Sequence, residues 1–244
     1  MLKSLIKKLL PRPILVAYRS RNERLKARKY AGLSAAETFS RIYSTSTWGD
    51  GEFNSGPGSR DEAMVGPYVS AIHDFCTAQD RPLNAVDLGC GDFSVGSRIR
   101  GCFANYVARD VAPALIERNR REFAALDVDF DTLDMIDDAL PAGDLVMIRQ
   151  VLQHLSNAQI SRVVAKLGQY KFAIITEHLP GLERFTPNLD KPMGDGIRSG
   201  LFSGVVLTAA PFGLKPLSER VICEVQDTCN PETIIRTTLY ELAG

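Results

Sequence analysis

The chain has 244 residues, of which 45% are hydrophobic and 24% are charged. These values are typical of a soluble globular domain with a full core, and they exclude a disordered chain, a collagen-like chain and a small disulfide-stapled protein. The formal charge is zero, but residues 1–30 hold ten Lys and Arg residues against one acid, Glu23, so they carry +9 and residues 31–244 carry −9. The sequence therefore predicts a basic arm, 1–30, joined to an acidic domain, 31–244.

The basic arm contains two stretches. In residues 1–10 the apolar side chains recur at helical spacing, three lysines lie on the other side, and two prolines follow. Residues 14–30 begin apolar and become strongly basic. Two interpretations stay open: the arm lies on an anionic membrane surface, or it packs against the domain or a partner. A nucleic-acid partner is disfavoured, because the rest of the chain is acidic.

Beyond the arm, strands alternate with helices. Helices are predicted over 34–44, with Ser34 as a cap, and over 60–79, 94–102, 113–125 and 156–167, the last with Ser156 as its cap. Strands are predicted over 85–88, 106–109, 129–133, 144–148 and 172–176, followed by a Gly- and Pro-rich connection, 181–204, and a hairpin over 218–225 and 232–241. This βα order predicts an α/β fold with an open, mostly parallel sheet that is covered on both faces.

The strongest local signal is VDLGCGD at residues 86–92. A short apolar strand runs through an acid into Gly-x-Gly ahead of a helix, and in such units the ligand binds at the carboxyl edge of the strands. The glycines allow a sharp turn and close approach of the backbone to a ligand. Asp110 lies 19 residues after Gly91 and ends the next strand. At that position a carboxylate can accept hydrogen bonds from both hydroxyls of an adenosine ribose.

The glycine pattern also bears on which nucleotide binds. A dinucleotide needs a phosphate cradle, which usually has a third glycine in Gly-x-Gly-x-x-Gly. Ser94 takes that third position here, so an NAD(P)-dependent oxidoreductase is the weaker alternative. The pattern Asp-x-Gly-x-Gly resembles instead the first motif of class I S-adenosylmethionine-dependent methyltransferases, whose cofactor has no phosphate.

The resemblance to a group of small class I methyltransferases extends over most of the chain. It includes SGPGS at 55–59, the first motif at 87–92, DLVMIRQVLQHL at 144–155 and Pro-Phe at 211–212. It implies a Rossmann-like class I methyltransferase fold with a mostly parallel seven-stranded sheet, a C-terminal β-hairpin and a helical N-terminal extension. It also implies S-adenosyl-L-methionine as the cofactor, bound by Trp48, Ser55, Gly56, Gly58, Ser59, Asp87, Gly89, Cys90, Gly91, Asp110, Val111, Asp134, Met135 and Arg149.

Three residues near the strand ends are predicted to act in the chemistry. Imidazoles titrate near neutrality, so His154, after the fourth strand, and His178, after the fifth, are candidate bases for an acceptor proton. Arg149, at the exit of the fourth strand, is a candidate for contact with the cofactor or with an anionic acceptor. The predicted substrate-binding residues are Glu177, Asn188 and Arg198.

The function expected from these features is methyl transfer to a hydroxyl of a small-molecule or glycan acceptor. A non-catalytic cofactor-binding module of the same fold is the alternative, because Gln150 and the pair Glu177-His178 depart from the group's pattern. No spacing matches a metal site, and the five cysteines predict free thiols in a reducing cytoplasm. No apolar run is long enough to span a bilayer. The expected location is therefore cytoplasmic, with membrane association through residues 1–30 if the arm binds lipid.

Overall fold

A computed structural model of the chain describes residues 11–51, 53–182 and 185–243, so the helix predicted within 1–10 lies outside the described residues. The helices are α1 (Arg12–Ala27), α2 (Ala35–Ser44), α3 (Glu62–Thr77), α4 (Gly96–Ile99), α5 (Pro113–Glu122) and α6 (Asn157–Val164). The strands are β1 (Asn84–Leu88), β2 (Asn105–Asp110), β3 (Asp129–Thr132), β4 (Leu145–Arg149), β5 (Phe172–Pro180), β6 (Ser218–Gln226) and β7 (Thr233–Glu241).

These strands form one sheet with the order β3-β2-β1-β4-β5-β7-β6. The first five strands are parallel, and β7 lies antiparallel between β5 and β6. The strand order reverses between β1 and β4, and ligands of open α/β sheets bind beyond the carboxyl ends of the strands at such a point. The predicted mostly parallel sheet with a terminal hairpin is confirmed.

Side chains alternate between two cores, one on each face of the sheet. On β4, Leu145 and Met147 pack in the core that contains α3, whereas Val146 and Ile148 pack in the core that contains α2 and α6. We call these sides the α3 face and the α2–α6 face. Because β4 is buried on both faces, its sequence is a continuous apolar run without alternation.

Both predicted serine caps are confirmed. Ser34 accepts a hydrogen bond from the backbone of Glu37, and the Glu37 carboxylate accepts one from the Ser34 amide. Ser156 and Gln159 make the same reciprocal pair at the start of α6. Each pair satisfies backbone N–H groups that have no partner inside the helix, which sets where the helix begins.

Two elements differ from the sequence prediction. The segment predicted as one helix over 94–102 is the single turn of α4 followed by a 3₁₀ turn. Strand β5 was expected to end at residue 176, but it continues to Pro180 because β7 pairs with it as far as Thr233. Glu177 and His178 therefore lie inside β5 instead of following it, and the alternation of a strand directs them to opposite faces of the sheet.

Helix α1, which belongs to the basic arm, packs against the domain. Leu15 is buried, and the Arg19 guanidinium donates a hydrogen bond to the Gly200 carbonyl at 2.8 Å. Tyr30, just after α1, belongs to the core on the α2–α6 face. Within the described ranges, none of the helices combines the length and apolar character needed to cross a bilayer.

Candidate active site

A cavity of about 610 Å³ opens at the carboxyl ends of the central strands. Every residue predicted to bind the cofactor, from Trp48 to Arg149, contributes to its walls. The two candidate bases, His154 and His178, also line it. The sheet edge therefore brings together predicted residues, from Trp48 to His178, that are up to 130 positions apart in sequence. The three predicted substrate-binding residues lie elsewhere, as described below.

The floor of the cavity beside β1 is backbone. Gly89 and Gly91 have φ values of +74° and +57°, which favour glycine. A Cβ on Gly89 would collide with the Val151 side chain, and one on Gly91 would lie 2.6 Å from Ser55 Oγ. Gln150, at the exit of β4, also has a positive φ of 58°, and its buried Nε2 has no hydrogen-bond partner. Strain of this kind in a non-glycine residue is typical of functional sites.

Two acids lie next to the cavity near the carboxyl ends of the neighbouring strands β1 and β2. Asp87, on β1, accepts a hydrogen bond from the Tyr106 hydroxyl at 2.9 Å, and burial raises its pKa to about 7. Asp110, at the end of β2, accepts hydrogen bonds from the backbone amides of Gly91 and Ala112 at 3.1 and 3.0 Å. Burial raises the pKa of Asp110 to about 6. Both carboxyl groups are therefore poised to change charge near neutrality.

The loop after β3 supplies a third acid. Asp134 accepts a hydrogen bond from the Ile136 amide at 2.8 Å, and burial raises its pKa. Lys166 holds the same loop by donating to the Met135 and Ile136 carbonyls. Asp134 and Met135 thereby line the cavity from the loop after β3.

The SGPGS loop is tied to the first motif. Ser55 Oγ accepts a hydrogen bond from the Asp92 amide at 3.0 Å, and Ser94 Oγ donates to the Ser59 carbonyl at 3.2 Å. The Ser94 amide also donates to Asp92 Oδ1, at 3.2 Å. The carboxylate of Asp92 therefore lies at the start of the helix after β1, where a dinucleotide site would need room for phosphate.

Arg149 joins the loop to the end of β4. Its Nη2 donates to the Gly58 carbonyl at 2.6 Å, and its guanidinium lies 5.0 Å from the centre of the Tyr68 ring. Its buried Nε has no hydrogen-bond partner. Burial lowers the pKa of Arg149. An arginine stays protonated in proteins, so the cavity wall contains a cation with a spare donor.

His154 belongs to an aromatic wall. Its ring centroid lies 4.8 Å from that of Trp48 and 6.5 Å from that of Phe39. Burial, together with the nearby Lys191 ammonium, lowers the pKa of His154 to about 3. The imidazole is therefore neutral at physiological pH and only weakly basic. Its Nδ1 is buried without a hydrogen-bond partner.

His178 is held between two oxygen atoms. Its Nδ1 lies 3.2 Å from Gln153 Oε1, and its Nε2 lies 3.2 Å from Asp227 Oδ2. The Asp227 carboxylate also accepts hydrogen bonds from the Thr233 hydroxyl and the Cys229 amide at 2.9 and 2.8 Å. Burial lowers the pKa of His178 and Asp227 opposes that shift. An imidazole oriented by a carboxylate is the arrangement of a general base.

Glu177 and Arg198 are hydrogen-bonded within the scaffold and do not line the cavity. Glu177 accepts hydrogen bonds from the amides of Leu152 and Gln153, both at 3.0 Å. The fully buried Arg198 donates to the carbonyls of the same two residues and to that of Leu155. Because Glu177 points to the α2–α6 face, it and Arg198 brace the turn after β4 from behind the cavity wall.

Asn188 is also part of the scaffold. Its Nδ2 donates to the Val206 and Ala210 carbonyls, both at 2.9 Å, and its Oδ1 accepts from the Val206 amide. These bonds use its amide to join two loops of the long connection, and the residue does not line the cavity.

Replacing Arg198 with Met should lower the free energy of unfolding by about 3–5 kcal/mol, because it leaves several buried carbonyls without a donor and removes the positive charge that acts on the buried Glu177. The measurement is urea unfolding, with the exposed Arg121→Met as the matched control. If Arg198 bound acceptor, the variant would keep its stability and raise the KM for acceptor.

Sequence reasoning missed several polar residues of the wall, among them Tyr68, Gln153 and Asp227. Tyr68 lies in α3, and Asp227 lies in the turn of the hairpin, far along the chain from every motif. Gln153 could have been predicted, because it lies beside His154 in the segment 144–155, which carries the resemblance to the methyltransferase group. Among the residues that the structure describes, no three His, Cys, Asp or Glu side chains are grouped as metal ligands.

Comparison with known proteins agrees with this geometry. Residues 86–170 match the family described as "Methyltransferase domain". No curated protein matches the chain. Among solved structures, the N-methyltransferase NodS from Bradyrhizobium japonicum WM9, in complex with S-adenosyl-L-homocysteine, is similar over 77% of this chain and 93% of its own, with 14% identity and a TM-score of 0.58.

Two further structures have similar folds. Human N-acetylserotonin methyltransferase with S-adenosylmethionine is 17% identical over 94% of this chain and 66% of its own, with a TM-score of 0.53. Magnesium protoporphyrin IX methyltransferase from Synechocystis PCC 6803 is 16% identical over 90% and 99%, with a TM-score of 0.51. The chain thus has the class I methyltransferase fold, and residues 86–170 match the methyltransferase-domain family within it. The named acceptors of these proteins differ, so the fold leaves the acceptor open.

Proposed function

We propose that the protein uses S-adenosyl-L-methionine to methylate a hydroxyl of a small-molecule or glycan acceptor. The observation that carries the proposal is the polarity of the cavity along the sheet edge. Asp134, Asp110 and Asp87 follow one another from β3 to β1, and Arg149 and His178 continue the series on β4 and β5. Such a series suits a nucleoside cofactor that carries a positively charged amino-acid chain. The acids from β3 to β1 would face the cofactor, and the residues on β4 and β5 would face the acceptor.

The cavity residues fit this cofactor. Asp110 lies where it can accept the ribose hydroxyls, Asp134 with Met135 would hold the adenine, and Asp87 would face the ammonium group. Because residues 89 and 91 are glycines, the cavity floor is bare backbone there, and a Cβ at either position would collide with neighbouring side chains. The cofactor supplies a methyl group already activated on a sulfonium, so the protein's tasks are to align the acceptor and to take its proton.

A nicotinamide cofactor fits less well. Its pyrophosphate would lie at the start of the helix after β1. That place holds the buried Asp92 carboxylate, which accepts from Ser94 and pairs with Arg60 at 3.0 Å. The Asp92 carboxylate occupies this place and uses the hydrogen-bond donors that a phosphate would need, which favours a cofactor without phosphate.

His178 is the base favoured by the geometry. An acceptor hydroxyl could take the place of Gln153 Oε1 next to His178 Nδ1. It would then transfer its proton to His178 Nδ1, and Asp227 would stabilise the resulting imidazolium at Nε2. His154, with a pKa of about 3, is too weak a base for that step. We assign His154 and its free Nδ1 to a hydrogen bond with a ligand, and Arg149 to an anionic group of cofactor or acceptor.

Binding of S-adenosylhomocysteine should weaken about tenfold between pH 8 and pH 6. Free Asp87 has a pKa of about 7, and the ligand's ammonium group favours the ionised carboxylate. Lowering the pH therefore protonates Asp87 and removes its attraction for the ligand. Calorimetric titration across this pH range measures the effect, and Asp87→Asn should remove most of it. A pH-independent affinity in the wild-type protein would contradict the role of Asp87.

The test of the proposed function has two stages. Thermal unfolding should shift upward with S-adenosylhomocysteine and stay unchanged with NAD. Incubation with cofactor labelled in its methyl group and with cell fractions should then label an acceptor through a bond that resists mild base and acid, as an ether does. Tight cofactor binding with no transfer to any fraction would favour the non-catalytic alternative.

We include a cytoplasmic location in this proposal. The cysteines at 76, 90, 102, 223 and 229 are all unpaired, as expected for a chain that folds under reducing conditions. The division into an arm, 1–30, and a methyltransferase domain, 31–244, is likewise a proposal, in which α1 serves as a docked extension of the domain.

A further inference from the structure

Helix α1 has an inner face that forms part of the cavity rim. Glu23 and Lys26 line the cavity mouth together with the segment 195–197, and a Cβ on Gly196 would collide with the Glu23 carboxylate. Arg19, one turn earlier, stacks its guanidinium 4.3 Å from the centre of the Phe202 ring. The helix is therefore held against the loops that border the entrance.

The outer face of α1 is apolar and basic. Ile14, Tyr18 and Leu25 recur at helical spacing on one side and are 54%, 46% and 44% exposed. The exposed residues Arg21 and Arg24 lie beside them.

The outer face also carries no acid. The one acid of the arm, Glu23, is turned toward the cavity and pairs with Lys26 at 3.0 Å. By sequence, residues 1–10 add three lysines and five Leu and Ile residues. The apolar side chains of this face could enter the acyl boundary of a bilayer, and its cations could contact anionic headgroups. The face therefore matches an anionic lipid surface in both polarity and charge.

We propose that the outer face of α1 docks on an anionic lipid bilayer and thereby holds the cavity mouth at the bilayer surface. The inference rests on the proposed function in one respect: an acceptor that reaches the cavity past α1 would come from that surface, for example on a lipid carrier. Membrane association of α1 itself does not depend on the methyl-transfer reaction.

Flotation of the full chain with vesicles tests the docking. The protein should bind vesicles of equal parts phosphatidylglycerol and phosphatidylcholine and should not bind phosphatidylcholine alone. The double variants Ile14→Asp with Leu25→Asp, and Arg21→Glu with Arg24→Glu, should each lower the partition coefficient at least tenfold. The matched controls are Leu217→Asp, which replaces a 71% exposed apolar residue near β6, and Arg121→Glu on α5.

The position of the cavity mouth has its own readout. Trp48 is the single tryptophan of the chain and lines the cavity, where its Nε1 donates to the Asp195 carbonyl. Energy transfer from Trp48 to dansyl-labelled lipid headgroups should appear on docking and disappear in the two α1 variants. Transfer that is absent although the protein floats would overturn the orientation proposed here.

Other outcomes are equally decisive. Equal flotation of α1 variants and controls, equal binding to neutral vesicles, or binding only to acidic protein or nucleic acid would overturn the lipid proposal. S-adenosylhomocysteine affinity, measured on every variant, shows that the domain is folded. If the wild-type protein does not bind S-adenosylhomocysteine, the proposed function is contradicted, but the result with vesicles still holds.

Discussion

Replacing Asp110 with Asn is expected to weaken binding of S-adenosylhomocysteine about a hundredfold. The Asp110 carboxylate lies at the end of β2 with both oxygens oriented by backbone amides, so it can accept hydrogen bonds from two ribose hydroxyls without moving. A hydrogen bond to a charged group is worth about 1.5–3 kcal/mol. Loss of the charge and of one acceptor should therefore cost about 3 kcal/mol, which corresponds to about two orders of magnitude in affinity.

Calorimetry at pH 8, where Asp110 is ionised, is the appropriate measurement. Asp80→Asn, on an exposed turn, removes the same charge without touching the cavity and should leave the affinity unchanged. A ligand analogue with 2′-deoxyribose should bind the wild-type protein more weakly than S-adenosylhomocysteine does. For the Asp110 variant, the two ligands should bind with nearly the same affinity. Equal losses in both proteins would show that Asp110 does not contact the ribose.

Replacing His178 with Gln is expected to lower kcat by two to four orders of magnitude while sparing cofactor affinity. A positioned general base contributes about that much, and His178 is the imidazole that Asp227 orients at 3.2 Å. The base works only when unprotonated, so the wild-type rate should rise with pH through the histidine pKa and then level off. Because burial lowers that pKa, the rising limb should lie below the pH of an ordinary histidine.

The pH profile separates catalysis from structure. In His178→Gln the rising limb should vanish, and Asp227→Asn should keep a limb at lower pH with an intermediate rate, because the imidazolium loses its counter-charge. His73→Asn, an exposed histidine on α3, is the matched control and should be fully active. A His178 variant with normal kcat and raised acceptor KM would assign the residue to binding only.

The parts of the protein that depend on local geometry could be predicted from the amino-acid sequence alone. Gly-x-Gly after an apolar strand, an acid at the end of the next strand, and serine caps three residues before Glu37 or Gln159 are set by backbone conformation and short-range hydrogen bonds. The element order then restricts the sheet to a few topologies. For these reasons the fold was predicted, and the residues predicted to bind the cofactor all line one cavity.

The arrangement around His178 depends on contacts between strands that are distant in the sequence, so it became apparent only in the folded structure. Two adjacent residues, Glu177 and His178, look equivalent in sequence, but their position inside β5 depends on pairing with Arg236 and Ile235 of β7, 59 and 57 residues later. That pairing sends Glu177 into the scaffold with Arg198 and His178 into the cavity, where the hairpin turn supplies Asp227. Long-range strand register sets which side chain faces which core. No local pattern contains that information, which is why the residues predicted to bind the cofactor line the cavity as expected, whereas the partner of His178 was not foreseen.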